Sequence, residues 1–81
     1  MRVTIRLFAR LRDLVGTSEL IREVATPATV ASVWNTLIAE YPAARDYERT
    51  MSVPVNANYA RLHSPVTEGD EVAFLPPVSG G

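Results

Sequence analysis

The sequence predicts an α+β fold, one mixed sheet with a single long helix packed across it. Three observations predict it. The first residues alternate apolar with polar, a helical apolar stripe runs through the middle, and short alternating stretches return near the end. Helices and strands so interleaved within 81 residues leave room for one layer of each.

The first strand comes from Val3, Ile5 and Leu7, which alternate with Thr4, Arg6 and Phe8; a two-residue period places the first three on one face. The run ARLRDLV predicts a short helix over 9–15, closed by Gly16 as a left-handed C-cap. A second strand is expected over 19–24, with Leu20 and Ile21 as its apolar residues, and Thr26-Pro27 breaks the chain. The long helix is the clearest element: Val30, Val33, Trp34, Leu37, Ile38 and Tyr41 recur at three and four residues. Thr29 is its expected N-cap. Ser32 stands where a capping-box glutamate would be, so an incomplete motif is expected. Pro42 ends the helix, and 43–49 is expected to form a further short one.

The stretch SVPVNA (52–57) reads as a strand, with Pro54 suggesting an edge or a bulge. Asn56 and Asn58 suit a turn, and 59–62 is expected to return as a short strand. Glu68-Gly69-Asp70 reads as a turn before a last strand over 71–75, with Val72 and Phe74 on one face. One domain is expected over 1–81, with 76–81 as an extended C-terminal tail.

Composition removes several kinds of chemistry. With no cysteine there is no thiolate ligand, disulfide or cysteine nucleophile in this chain. Eight cations and nine acids are scattered along it, so no basic stripe awaits a nucleic acid. No apolar run approaches a membrane span, and the start lacks the features of a signal peptide, so a cytoplasmic protein is expected. All eight cations are arginine; a biased codon pool explains this most simply. A second reading is chemical, because a chain without lysine cannot acylate its own side chains. His63, the single histidine, lies in a loop beside Ser64-Pro65, and nothing in the sequence places a base near Ser64 or Ser79. Trp34 belongs to the helix stripe and is read as core. No metal site is expected.

The tail is the exception. After Leu75, Pro76 and Pro77 lack backbone donors and favour a stiff, extended path. Val78 and Ser79 follow, and Gly80 and Gly81 carry no side chains, so the end fits a channel that larger residues would block. Fully extended, the six residues after Leu75 span about 20 Å. Their one functional group is the Gly81 carboxylate. If Val3, Ile5, Leu7, Val72 and Phe74 face the core, Phe8 and Leu75 point the other way.

The end DEVAFLPPVSGG, the opening LFARLRDLVG and the placing of VNAN before SPVTEGDEV resemble the MoaD/ThiS family of ubiquitin-like sulfur carriers. The likeness is to its MoaD branch, the small subunits of molybdopterin synthase, and it covers essentially the whole chain. The PPVSGG ending is more specific than the diglycine alone, since thiamine-pathway carriers usually lack the double proline. The resemblance implies a β-grasp fold with one main helix and a diglycine tail; first and last strands are neighbours in such a sheet, so Phe8 and Leu75 would form one exposed apolar patch, a candidate partner interface. It implies that Gly81 is adenylated, converted to a thiocarboxylate, and then donates sulfur to a cyclic pyranopterin precursor. Residues 76–80 (Pro76, Pro77, Val78, Ser79, Gly80) would thread the partners' channels. The implied partners are a MoaE-like large subunit, two of each chain in a heterotetramer, and a MoeB-like adenylating enzyme. ATP and magnesium would belong to that enzyme; this chain would bind no cofactor and would not be the catalyst. Alternatives are a carrier for thiamine, cysteine or tungsten cofactor, a ubiquitin-like protein modifier, and a bare interaction module with an incidental tail.

Overall fold

The computed structural model describes residues 1–77; Val78, Ser79, Gly80 and Gly81 lie outside the described residues. The first strand, β1 (Arg2–Leu7), is followed by helix α1 (Ala9–Val15) and strand β2 (Glu19–Glu23). A two-residue strand, β3 (Ala28–Thr29), leads into helix α2 (Val30–Glu40) and a 3₁₀ helix over Pro42–Tyr47. Strands β4 (Pro65–Val66) and β5 (Glu71–Phe74) complete the order.

β1 lies at the centre of the main sheet, antiparallel to β2 and parallel to β5. The parallel neighbours are the first and last strands, so both helices and the second small sheet, β3 with β4, lie between them in sequence. This is the mixed sheet crossed by one long helix that the sequence predicts. Val3, Ile5, Leu7, Val72 and Phe74 face α2 and are at most 1% exposed. They meet Val30, Val33, Trp34, Leu37 and Ile38, the stripe read from the periodicity. Trp34 and Phe74 pack with ring centroids 5.0 Å apart at 53°. The indole N–H of Trp34 donates to Glu48 Oε1 at 2.8 Å, so the largest core side chain buries no unpaired donor.

Several local expectations are corrected. The capping box of α2 is complete: the Ser32 N–H donates to Thr29 Oγ1 (3.3 Å) and the Thr29 N–H donates to Ser32 Oγ (2.8 Å). A serine oxygen thus does what a glutamate would, because the turn brings it close enough to reach back. Residues 59–62 form no strand; Tyr59 is 84% exposed. The chain instead reverses tightly between Val55 and Asn58, which exchange both backbone hydrogen bonds at 2.9 Å. Asn56 and Ala57 take φ of +49° and +67° at the centre of that reversal.

The 52–57 stretch is strand-like but broken. Ser52 and Leu75 exchange hydrogen bonds, and the N–H of Ala73 donates to the carbonyl of Pro54 (3.0 Å). Pro54 has no N–H to return, so the ladder is interrupted where the sequence suggested an edge. It resumes at Asn56, whose N–H donates to the Glu71 carbonyl (2.7 Å) while its side-chain oxygen accepts from the Glu71 N–H (2.9 Å). The 3₁₀ helix covers most of the expected 43–49 helix. The pairing of β3 with β4 has no counterpart in the sequence reading.

Candidate functional site: the open sheet face and the exit of the tail

Parallel pairing of β1 with β5 brings two distant segments together at one end of the sheet. Leu7 pairs with Phe74, so the next step of the register sets Phe8 beside Leu75. The pleat turns both away from α2. Phe8 is 36% exposed, Leu75 is half-buried, and Pro54 and Ala73 are half-buried neighbours on the same face. The expected pair is thus adjacent in space, and two small apolar residues extend it. At Ala9 the backbone turns sharply, with φ of +50°, an uncommon value for a non-glycine residue. That turn ends the strand and starts α1, leaving Phe8 at the corner as the helix N-cap without a side-chain capping bond.

The rest of the face is polar. Arg6 stands one pleat below Phe8, its guanidinium carbon 5.8 Å from the ring centroid. Its Nη1 donates to Glu71 Oε2 at 3.3 Å, and Nε lies 3.9 Å from Glu19 Oε1. That Nε is buried and has no hydrogen-bond partner. Beyond this crossing charge row, Thr4 lies between Ile21 and Glu71, and Ile21 is 53% exposed. The apolar end of the face is therefore bounded by a row of paired charges.

At that apolar end the described chain leaves the body. The Leu75 N–H donates to the Ser52 carbonyl (2.9 Å) and the Ser52 N–H donates to the Leu75 carbonyl (2.8 Å). Pro76 is buried and Pro77 exposed. The tail's origin is thus clamped one residue further than the strand alone would hold it. Val78, Ser79, Gly80 and Gly81, the remaining tail residues and the expected reaction centre, lie outside the described residues.

Two turns keep the edge segment against β5. The Asp70 carboxylate accepts from the Thr67 N–H (2.8 Å) and from the Asn56 side-chain amide (2.9 Å). These bonds, the backbone one foremost, hold its pKa below the usual aspartate value. On the helix side of the sheet, Arg22 and Glu40 form a bidentate pair at 2.8 Å, which raises the arginine pKa and lowers the glutamate's.

The remaining polar residues singled out in the sequence are not gathered into a site. His63 is exposed, and Ser64 Oγ accepts from the Arg61 N–H (2.9 Å) as part of its own turn. Among the described residues, no group of three histidine, cysteine or acidic side chains stands close enough to hold a metal ion. A groove of about 360 Å³, with Arg49, Ser52, Tyr59, Arg61 and Leu62 in its wall, runs along the outer side of the edge segment. The sequence reading missed it because it assigned 59–62 to a strand; the Asn56–Ala57 reversal is the signal that places it. No helix among the described residues is long and apolar enough to cross a membrane.

Comparison with known proteins agrees with this arrangement. The ThiS family model matches residues 5–81. The chain is 35% identical to the molybdopterin synthase sulfur carrier subunit of Escherichia coli (strain K12), covering 98% of this chain and 99% of that one. It is 32% identical to small archaeal modifier protein 1 of Haloferax volcanii, over 94% of this chain and 97% of the relative. The crystal structure of the latter superposes with a TM-score of 0.87 at 30% identity, covering 100% of both chains. A protein–protein complex of subunits 1 and 2 of the molybdopterin-converting factor from Helicobacter pylori 26695 contains the same fold, with a TM-score of 0.68, 21% identity and 100% of both chains covered. With the ubiquitin-like β-grasp architecture and full-length likeness in hand, the chain belongs to the ThiS family, among the relatives of the molybdopterin synthase sulfur carrier subunits.

Proposed function

We propose that this chain is the sulfur-donating subunit of a molybdopterin synthase and that Gly81 is its reaction centre. A carboxylate is a poor acyl donor because oxide is a poor leaving group. A MoeB-like partner, using ATP and magnesium, would join AMP to the Gly81 carboxylate as a mixed anhydride. A sulfur donor then displaces AMP and leaves a thiocarboxylate. Its sulfur is an anion near neutral pH and a ready nucleophile toward the cyclic pyranopterin precursor held by a MoaE-like large subunit. A dithiolene carries two sulfurs, so two loaded carriers are consumed for each product, in keeping with a complex of two chains of each kind. This chain is then a recharged co-substrate, and the catalytic groups belong to its partners.

The observation that carries this reading is the coincidence of the apolar Phe8–Leu75 end of the open face with the place where the chain leaves the body. A partner seated on that end stands where the tail arrives, so docking and delivery use one geometry. Incubation of the purified chain with its adenylating enzyme, ATP and a sulfur source tests it. Mass spectrometry should find sulfur in place of oxygen at Gly81; a modification on any side chain instead would refute the assignment.

The likeness to an archaeal modifier favours a second reading, in which the same activated end is joined to amines of other proteins. Free thiocarboxylate in cell extracts supports the carrier; diglycine remnants on target lysines support the modifier.

A further inference from the structure

We propose that this chain is a donor only: it presents no amine able to accept its own activated C-terminus, and arginine in place of lysine beside the tail is what ensures this. The proposal rests on activation of Gly81, the reading given above. An activated acyl group reacts with a neutral amine. The nitrogen attacks the Gly81 carbonyl carbon, a C–N bond forms, the C–O bond to AMP breaks, AMP departs with the electron pair, and the amine proton passes to solvent. A lysine, with a pKa of about 10.4, always exposes some neutral amine. An arginine guanidinium stays protonated and delocalised, with no lone pair to offer.

The structure shows where this matters. Arg49 lies three residues from Ser52, the residue clamped to Leu75, and helps wall the groove along the edge segment. Those three residues separate it from the clamp by at most about 11 Å, within the 20 Å or so that the six residues after Leu75 can span. Arg10 stands just past Phe8, at the same end of the sheet. Lysine at either place would put an amine within the tail's reach. The one aliphatic amine among the described residues, at Met1, is part-buried; it donates to the Val24 carbonyl (2.8 Å) and lies 3.8 Å from Glu23. Parallel pairing also places it at the far end of β1, about 23 Å from the tail's origin, beyond the tail's extended reach. His63 can form only an acyl imidazole, which water cleaves.

The test uses the full chain carrying a C-terminal thioester at Gly81, made through an intein fusion. The leaving group is then a thiol, and no adenylating partner is required, so failure of the Gly81 adenylation reading would leave this test unaffected. Wild-type thioester should hydrolyse to the free acid and form no amide. Arg49→Lys keeps the charge and should keep the thermal midpoint. It should yield a product one water lighter than the free acid, mapped as an amide between Gly81 and the new amine at position 49. Arg2→Lys, at the far end of β1, should give at least about tenfold less internal amide, because the effective concentration of its amine is lower. Hydrolysis alone in folded Arg49→Lys, amide in the wild type, or equal amide from the two variants would each overturn the proposal.

Discussion

The two faces of one sheet are made from alternate residues of the same strands, yet they are built from different chemistry. On the side of α2, Val3, Ile5, Leu7, Val72 and Phe74 are sealed to within 1% of full burial. On the other side, Arg6, Phe8, Ala73 and Leu75 alternate with them and remain exposed or half-buried. The pleat separates the two sets by one residue. Residues of the packed face can therefore be changed independently of those on the open face, although they are covalent neighbours. The tail belongs to neither set: it continues from Leu75 and Pro76, where the open face meets the packed body.

Substitutions at neighbouring positions break or sharpen this contrast. Phe74→Ala should have the largest effect on stability. It removes a fully buried ring packed on Trp34 and should cost about 4 kcal/mol. Urea unfolding measures it, and a loss under about 1 kcal/mol would mean that this face is less tightly packed than its burial implies. Gly80→Val should show the opposite profile. The unfolding curve should not move, whereas adenylation or sulfur delivery should fall roughly a hundredfold, because about 1 Å of misplacement suffices for that. Kinetics on the chemically thiocarboxylated variant separate the two steps; wild-type rates in both would show that the channels tolerate a branched residue.

Phe8→Asp places a charge on the open face. Binding to the large subunit should weaken at least about tenfold, the scale set by losing an apolar interface anchor. The thermal midpoint should change by only a few degrees. A collapse of the midpoint would assign Phe8 to the core and erase the difference between the two faces. The smallest effect concerns acid stability. The folded-state pKa of Asp70 is depressed, so its contribution is present above the unfolded value of about 3.9 and is lost as pH falls through the folded value. Asp70→Asn should cost about 0.5–1 kcal/mol at neutral pH, the scale of hydrogen bonds to a charged acceptor after discounting for solvent screening at this exposed turn. The gap between variant and wild type should narrow in acid; a gap independent of pH would assign the loss to the turn's backbone geometry alone.

Legibility differed by the range of the interactions. The α2 stripe, the β1 alternation and the Gly16 cap were readable because three- and two-residue periods, and a left-handed glycine with φ of +93°, are local facts. The capping box escaped because the rule names glutamate, whereas a serine oxygen reaches the same N–H when the turn is tight. The Tyr59–Leu62 stretch was read as a strand because its composition allows one. What overrode it was the reversal at Asn56 and Ala57, where an alanine in the left-handed region gives little warning.

By itself, the sequence determined the two helices and the faces that β1 and β5 bury, since each follows from neighbours within a few residues. Only the tertiary structure decided which strands pair, because hydrogen-bonded registers join segments far apart in the chain and composition does not encode their partners. Thus β3 against β4 and Ser52 against Leu75 emerge only from the fold, and β1 against β5 was expected only through the family resemblance. The candidate site depends on those pairings. Phe8 and Leu75 are sixty-seven positions apart, and they form one patch because parallel strands bring their ends to the same edge of the sheet.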